Sequence, residues 1–391
     1  MKIAVIGAGI AGIMAAYFLQ KDGHKVTIFD QERYAAMHTS RSNGGQVSVS
    51  NSETWTSWSN IRKGISWMLQ PGAPLSIGLA PTPAKIAWLA RFLWHTARGD
   101  QTANTIETIK LGVHSRELLK QIAQQEGLEF DQTPCGILHF YKYAEYFEAA
   151  KKSQALYAQA GHEQEWNVID SNEVKTIEPA LRPVPGIVGG VWTPADWTGD
   201  IHKFCVDLVN LLQQKGAEFW HDFQVGSLDT LDDFDRIVVS AGADSERFAK
   251  MTGDRFDIYP VKGYSITIPA EGAYAKSVLP KVSLLDDQAK IVTATLGTRF
   301  RVAGTAELAG HNRDIRRARI EPLLDWVHTN FPNIDTKNYT SWACLRPMTP
   351  NMMPIVQRSR RNPKVWYHTG HGHLGWTLAA GTAEMLAKQL V

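Results

Sequence analysis

The sequence predicts an α/β protein in which a parallel-sheet layer is interwoven with an α+β part built on an antiparallel sheet. Three observations carry this reading. The apolar run Ile3 to Ile6 stops at Gly7, Ile10 to Leu19 has helical periodicity, and Lys25 to Asp30 is a second strand, together a β-α-β unit. From Tyr259 to Gly304 short alternating segments recur at Ser265 to Ile268, Lys290 to Thr295 and Phe300 to Ala303, the pattern of an antiparallel sheet. The end of the chain returns to a strand (Val365 to His368), a Gly/His-rich turn and a helix (Trp376 to Leu390).

Between these landmarks, the polar, Gly/Asn/Ser-rich stretch Thr39 to Ser52 reads as a loop. Trp67 to Ala97 and Thr105 to Gln125 carry apolar residues at three- and four-residue spacing and read as helices. Ile137 to Tyr141 and Trp166 to Ile169 read as strands joined by a helix across Ala144 to Ala160. Asp200 to Gly216 is an amphipathic helix that leads into a strand at Ala217 to His221. Arg236 to Ser240 is an apolar strand ending in Ala241-Gly242-Ala243, and Arg316 to Thr329 is a helix. No repeat, low-complexity segment or flexible linker divides the 391 residues, so the chain must cross between two parts more than once.

Composition is that of a globular protein, 44% hydrophobic and 20% charged, and the net charge of +2 offers neither a nucleic-acid surface nor an acidic tail. Cys135, Cys205 and Cys344 stand far apart in no metal-ligand spacing, which favours a reducing compartment. The N-terminus lacks the basic and apolar regions of a signal peptide, and no apolar run approaches the roughly 20 residues a bilayer requires. A soluble, cytoplasmic protein is expected, at most peripheral to a membrane. Thirteen Trp is a high count, and large flat side chains suit the enclosure of an aromatic ligand as well as the filling of a core. Trp55, Trp58, Trp67 and Met68 are the candidates for such a wall, unless they only pack the helical segment.

Gly7-Ala8-Gly9-Ile10-Ala11-Gly12 is a GxGxxG element between a strand and a helix. In that setting Gly7 permits the tight turn, Gly9 lets the backbone approach a pyrophosphate, and Gly12 allows close helix–strand packing. The helix N-terminus supplies free amides for phosphate, and Asp30, followed by Gln31, is placed to accept from ribose hydroxyls. The element does not separate FAD from NAD. Gly370-His371-Gly372-His373-Leu374-Gly375-Trp376 opens a second helix at the far end of the chain, which suits a cofactor with more to bind than NAD presents. His368, His371 and His373 lack both the one-face spacing of helical zinc sites and a nearby carboxylate or Cys, so no metal is expected. Arg346, held between apolar neighbours just before Pro347, can grip a carboxylate in bidentate fashion or tie two loops together.

Taken with Thr39-Ser40, Asn43-Gly44-Gly45-Gln46, Thr198-Gly199-Asp200, Pro260-Val261-Lys262-Gly263-Tyr264-Ser265 and Leu345-Arg346-Pro347-Met348-Thr349-Pro350, these motifs span nearly the whole chain. In this order they make the sequence resemble the D-amino-acid oxidase superfamily, most closely the bacterial FAD-dependent D-amino-acid dehydrogenases (small subunit). The resemblance implies a Rossmann-like FAD-binding domain from residues 1–60, 198–256 and 338–391, and a substrate-binding domain from 61–197 and 257–337. It implies that Ser40, Arg41, Asn43, Gly44, Gly45 and Gln46 pass the pyrophosphate and flavin. It also places Val225, Ala241, Gly242, Cys344 and the run Gly370 to Thr377 beside the cofactor. Arg346 would hold a substrate carboxylate, Tyr264 would face the pocket or only pack the sheet, and His371 or His373 would either serve as a base or only bond the turn or the flavin edge.

The implied activity is oxidation of the CH–NH bond of an amino acid, a D-amino acid first of all, by hydride transfer to the flavin. The electron acceptor would be a quinone, reached at the inner membrane, or dioxygen. Three departures widen the substrate choice: Asn351-Met352 stands where the family usually has Asp-Gly; Cys344 stands near where a related branch bonds covalently to FAD, so it is either such an attachment or a buried free thiol; and Trp55, Trp58, Trp67 and Met68 suggest a bulky aromatic wall. Alternatives are an oxidase or dehydrogenase of an N-alkyl or secondary amino acid (sarcosine- or proline-like), an NAD-dependent reductase, or a flavin-binding scaffold with Arg346 buried in a salt bridge.

Overall fold

The computed structural model describes residues 1–68, 72–78 and 81–390. Its first layer is a six-stranded sheet in the order Ile355–Arg358, Val365–Thr369, Arg236–Val239, β1 (Lys2–Ile6), β2 (Lys25–Phe29), Glu218–Trp220. Only Ile355–Arg358 runs antiparallel to its neighbour. The central strand β1 is buried on both faces, which explains its uninterrupted apolar run. On one face lie α1 (Ile10–Lys21), Ile201–Gln214 and Gly375–Leu390. On the other lie Val225, Leu228, Leu231 and Phe248. Small residues let the first and last helices meet closely: Gly12, Ala15 and Ala16 on α1, and Ala379, Ala380 and Ala383 on Gly375–Leu390, are all buried.

The second layer is a mixed sheet in the order Thr340–Met348, Tyr259–Pro269, Arg299–Leu308, Ile291–Leu296, Ser283–Asp286, Ile137–Tyr141, Gly189–Thr193, Asn167–Asp170. Leu75–Ile77 pairs alongside Arg299–Leu308. The helix Arg317–Asn330 covers one face of this sheet through Ile320, Leu323 and Val327. A short ladder, Gln46–Val47 against Trp197–Thr198, sits apart from both large sheets.

The structure departs from the sequence expectations at three places. The stretch expected as a helix from Trp67 to Ala97 is broken: helix Trp58–Met68, strand Leu75–Ile77 and helix Pro83–Arg98 replace it. Pro83 sits in the first turn, where its missing N–H costs nothing, and Thr82 caps the end by accepting from the Lys85 amide. Thr340–Met348 is a strand of the mixed sheet, although the expected boundary at 338 assigned it to the other layer. The long helix Gln101–Glu126 buries Leu119, Ile122 and Ala123 against the first layer's helices, although it falls in the stretch expected to serve the second.

Candidate active site

A cavity of about 1220 Å³ is lined at once by the Gly7–Gly9 turn, the loop from Ser40 to Ser50, the Gly372–Thr377 turn and Arg346. At the glycine turn, the three glycines have different reasons. Gly7 has φ +103°, and a Cβ there would sit 2.6 Å from the Ser240 carbonyl oxygen. A Cβ at Gly12, which stands behind the cavity wall, would collide with the Gly7 carbonyl. A Cβ at Gly9 would meet only Ser40 Oγ, at an ordinary 3.5 Å. Protein packing therefore explains Gly7 and Gly12 but not Gly9, whose bare backbone keeps the α1 N-terminus open to the cavity with Ile10 and Ala11. Gly9 gives α1 no side-chain cap; the Ile10 amide donates to Ser40 Oγ at 3.1 Å. That is the open amide end a pyrophosphate fits. Asp30 accepts from the Ala8 amide at 2.5 Å and the Glu32 amide at 2.8 Å, and burial pushes its carboxyl upward. Gln31 lines the cavity beside it.

In the loop, Ser40, Asn43, Gly44 and Gln46 line the cavity. Gln46 Nε2 donates to Ser283 Oγ at 2.7 Å, and Asn43 Oδ1 accepts from the Gly45 amide at 2.9 Å. Cβ atoms at Gly44 and Gly45 would lie 2.6 Å from Val292 and 3.0 Å from Ala294, so these glycines let the loop press on the strand Ile291–Leu296. Gly45 and Arg41 do not border the cavity. Arg41 lies over the Trp342 ring and within 3.5 Å of His202 Nε2, which removes its side chain from the expected cofactor contacts. Val225, Ala241 and Gly242 do line it.

The C-terminal turn brings His371, Gly372, His373, Leu374, Gly375, Trp376 and Thr377 to the cavity, while Gly370 turns away against Thr349. Thr377 Oγ1 accepts from the Ser48 amide at 3.0 Å and ties this turn to the 40–50 loop. The hydroxyl of Thr382 donates to the Leu378 carbonyl, so the Nε2 atoms of His368 and His371, at 2.8 and 2.9 Å, must donate to it. His373 Nε2 likewise donates to the Asn51 carbonyl at 3.1 Å, and its ring stacks on Trp55. Burial lowers the pKa of both His371 and His373 to about 4. Both rings are neutral near pH 7 and are weak proton acceptors, which speaks against the expected general-base role. Among the described residues, no group of His, Cys, Asp or Glu is arranged to hold a metal ion.

Arg346 reaches the cavity from Thr340–Met348 through an irregularity in the neighbouring strands. Val261 and Gly263 stand opposite Arg346 and Cys344, and the ladder to Arg299–Leu308 slips between Lys262 and Tyr264. A Cβ at Gly263 would sit 2.5 Å from the guanidinium carbon, so the guanidinium lies directly over bare backbone. Thr305, at φ +61°, turns its carbonyl to accept from Arg346 Nη1 at 2.9 Å. Among the described residues no carboxylate pairs with Arg346, which removes the scaffold alternative that a buried salt bridge would have favoured. Tyr264 borders the cavity, but strand alternation turns its ring to the face under Arg317–Asn330, where its hydroxyl donates to Glu307 at 2.6 Å. Tyr264 thus borders the cavity while its hydroxyl serves the packing of the sheet. Cys344 lines the cavity on the Arg346 face, and burial pushes its thiol up, away from the reactive thiolate.

Sequence reasoning missed most of the remaining wall. Val261, Leu308, Leu75, Ile77, Trp88 and Phe92 form an apolar surface with Trp55 beside it. Trp67 lines the cavity, Trp58 is 54% exposed instead, and the Met68 side chain lies outside the described residues. A polar group also borders the cavity: Asp287 accepts from Tyr141 at 2.6 Å and meets His139 Nδ1 at 3.2 Å. One signal for the apolar wall was available: from residue 54 to 99 the chain has no Asp or Glu.

Comparison with known proteins identifies the group to which this architecture belongs. The family model described as FAD dependent oxidoreductase (DAO) matches residues 2–389. D-amino acid dehydrogenase 3 of Mesorhizobium japonicum is 48% identical over 402 residues, with 99% of this chain and 96% of that protein covered. D-amino acid dehydrogenase of Paramagnetospirillum magneticum is 37% identical, with 99% and 94% covered. Among solved structures, glycine oxidase from Geobacillus kaustophilus superposes with a TM-score of 0.76 at 16% identity, over 99% of this chain and 94% of that one. L-proline dehydrogenase from P. horikoshii gives 0.74 at 16% identity, over 100% and 93%. These two share the fold. With the open glycine turn and the match over residues 2–389, the chain belongs to the DAO family of FAD-dependent oxidoreductases.

Proposed function

We propose that this enzyme oxidises the CH–NH bond of a free amino acid, with a D-amino acid as its substrate, and that Arg346 binds the carboxylate. The observation that carries the reading is the guanidinium itself: it borders the cavity, is anchored by one backbone carbonyl, and has no carboxylate partner among the described residues. The names of the relatives at 48% and 37% identity support the D-enantiomer. Gly9, Ile10, Ala11, Asp30, Gln31, Ser40, Asn43, Gly44 and Gln46 would hold the dinucleotide and ribityl parts of FAD. Val225, Ala241, Gly242, Cys344 and the residues from His371 to Thr377 would border its remaining surface. Two parts divide the work: the six-stranded layer for the cofactor, and the mixed sheet, now including Thr340–Met348, for the substrate.

Bound FAD supplies the two-electron acceptor for the hydride that leaves the substrate carbon. The chain's own residues orient and neutralise. A bidentate grip by Arg346 fixes the carboxylate and with it the direction of the Cα–H. The substrate amine must be neutral to release a hydride. Burial and the nearby guanidinium both lower an amine pKa, so the site favours the neutral amine without a histidine base. His371 and His373 act as neutral rings that hold the turn. The imine formed takes up water to give a keto acid and ammonia.

For the electron acceptor we propose a quinone met at a membrane surface. No described helix is long and apolar enough to cross a membrane. The stretch from 54 to 99 has no Asp or Glu, and on it Arg62 is exposed together with Trp58, Ile65, Ile86, Leu93 and Trp94. Basic charge beside exposed aromatic and aliphatic side chains is what an anionic lipid surface attracts.

Anaerobic mixing of the yellow holoenzyme with D-, L- and N-methyl amino acids tests the whole reading. D-amino acids should bleach the flavin absorbance, Arg346→Gln should raise the concentration needed by at least about tenfold, and a quinone in anionic vesicles should restore the colour faster than dioxygen. Bleaching by N-methyl or L-amino acids alone would sink the proposed substrate, and faster recovery with dioxygen would sink the acceptor.

A further inference from the structure

We infer that the side chain of the amino acid taken by this site is bulky and apolar, and that Leu75, Ile77, Trp88, Phe92, Val261 and Leu308 select it; the inference rests on the amino-acid reading above. Val261, Leu75, Ile77 and Leu308 are tied to Arg346 by the ladder around it, and Trp88 and Phe92 by contacts with its strand and with each other. Val261 is its direct partner across the strands. Thr305, whose carbonyl holds the guanidinium, precedes Ala306, which stands opposite Leu75. Two residues further on, Leu308 stands opposite Ile77. Trp88 Nε1 donates to the carbonyl of Met348, two positions beyond Arg346, at 2.8 Å, and Phe92 stacks on its ring with centroids 5.3 Å apart. The indole has thus spent its polar atom on backbone and offers the cavity hydrocarbon.

A substrate whose carboxylate sits on Arg346 therefore has an apolar surface on that side of the clamp. Three other charged side chains of the cavity, Glu53, Asp287 and Lys63, already have protein partners. Glu53 accepts from Gln101 at 3.1 Å and from Ser153 at 3.4 Å. Asp287 is held by Tyr141 and His139. Lys63 lies over the Tyr146 ring, 4.3 Å from its centroid. A carboxylate or ammonium at the end of a substrate side chain would lose water against this wall and find no counter-charge on it. An alkyl or aryl side chain would gain from the same burial, and in such pockets each methylene is worth about tenfold or more in selectivity.

The test is the steady-state kcat/KM of the holoenzyme on D-Leu, D-Met and D-Phe against D-Asp, D-Lys and D-Arg. We expect the apolar group to lead by at least about a hundredfold. Charged substrates within tenfold of the apolar ones, or ahead of them, would overturn the inference. Ile77→Asp should shift the ranking toward D-Lys; the wild-type ranking decides even where that variant does not fold. If no amino acid bleaches the flavin, the amino-acid reading fails by itself. The wall is then tested by binding alone, through the shift of flavin absorbance with phenylacetate and with succinate. Tighter phenylacetate binding supports the wall, and equal or weaker binding refutes it.

Discussion

At Gly263 a methyl group would stand 2.5 Å from the guanidinium carbon of Arg346, while Thr305 holds the same guanidinium from the other strand. Thr305 is β-branched and sits at φ +61°, a conformation that costs about 1–3 kcal/mol and persists only where the surroundings impose it. The strand irregularity thus places a cation over bare backbone, as bulges near active sites often re-aim a side chain. Gly263→Ala should push the guanidinium aside and lower kcat/KM by about 100-fold, since small misplacements at a reacting centre are that costly. Its flavin content should stay at the wild-type level, because no cofactor contact is assigned to Gly263. An unchanged kcat/KM would mean that Arg346 does not depend on this seat. Arg346 itself was legible as a candidate clamp in the sequence. Its seat was not, because neither a bulge nor a left-handed threonine leaves a mark in residue order.

The glycine turn allows a similar argument at the level of an element. Gly12→Ala should destabilise the protein with or without cofactor, since its Cβ would collide with the Gly7 carbonyl inside the β1–α1 contact. Gly9→Ala should leave the cofactor-free protein as stable as wild type and weaken FAD binding by at least about tenfold, because the methyl group would enter only the cavity side. Melting temperatures of the apo forms and flavin retention on a desalting column separate the two. Loss of apo stability in Gly9→Ala would contradict the assignment. The β-α-β unit was readable because its pattern is local and both strands are buried on two faces. The strand Thr340–Met348 was not, because Arg346 and Pro347 interrupt an apolar pattern that makes sense only once the cavity is known to lie on one face. The helix expected from Trp67 to Ala97 failed for the opposite reason: its apolar spacing is real, but Leu75–Ile77 takes its place as a strand beside Arg299–Leu308.

Over the whole molecule, the buried histidines set the acid side of stability. His371 and His373 titrate at about 4 in the folded protein and His368 is held well below its usual value of 6.5, in each case first by burial. Between pH 6.5 and about 4 the unfolded chain binds protons at these rings and the folded chain does not, so stability falls as pH falls through that window. Calorimetric melting across it should show a steady decline, flattened in His373→Asn; a level curve from pH 6.5 to about 5 would show that the rings are not kept neutral. The layering of the chain has a consequence of another kind. The α1 N-terminus and the turn before its partner helix Gly375–Leu390 line the same cavity from stretches far apart in the chain. Until the strand Val365–Thr369 has paired with Arg236–Val239, the small-residue face of α1 lacks its Gly375–Leu390 partner. Cofactor capture is therefore expected to wait on the longest-range contact of this fold, whose closure entropy must be met before the cavity has both of its walls.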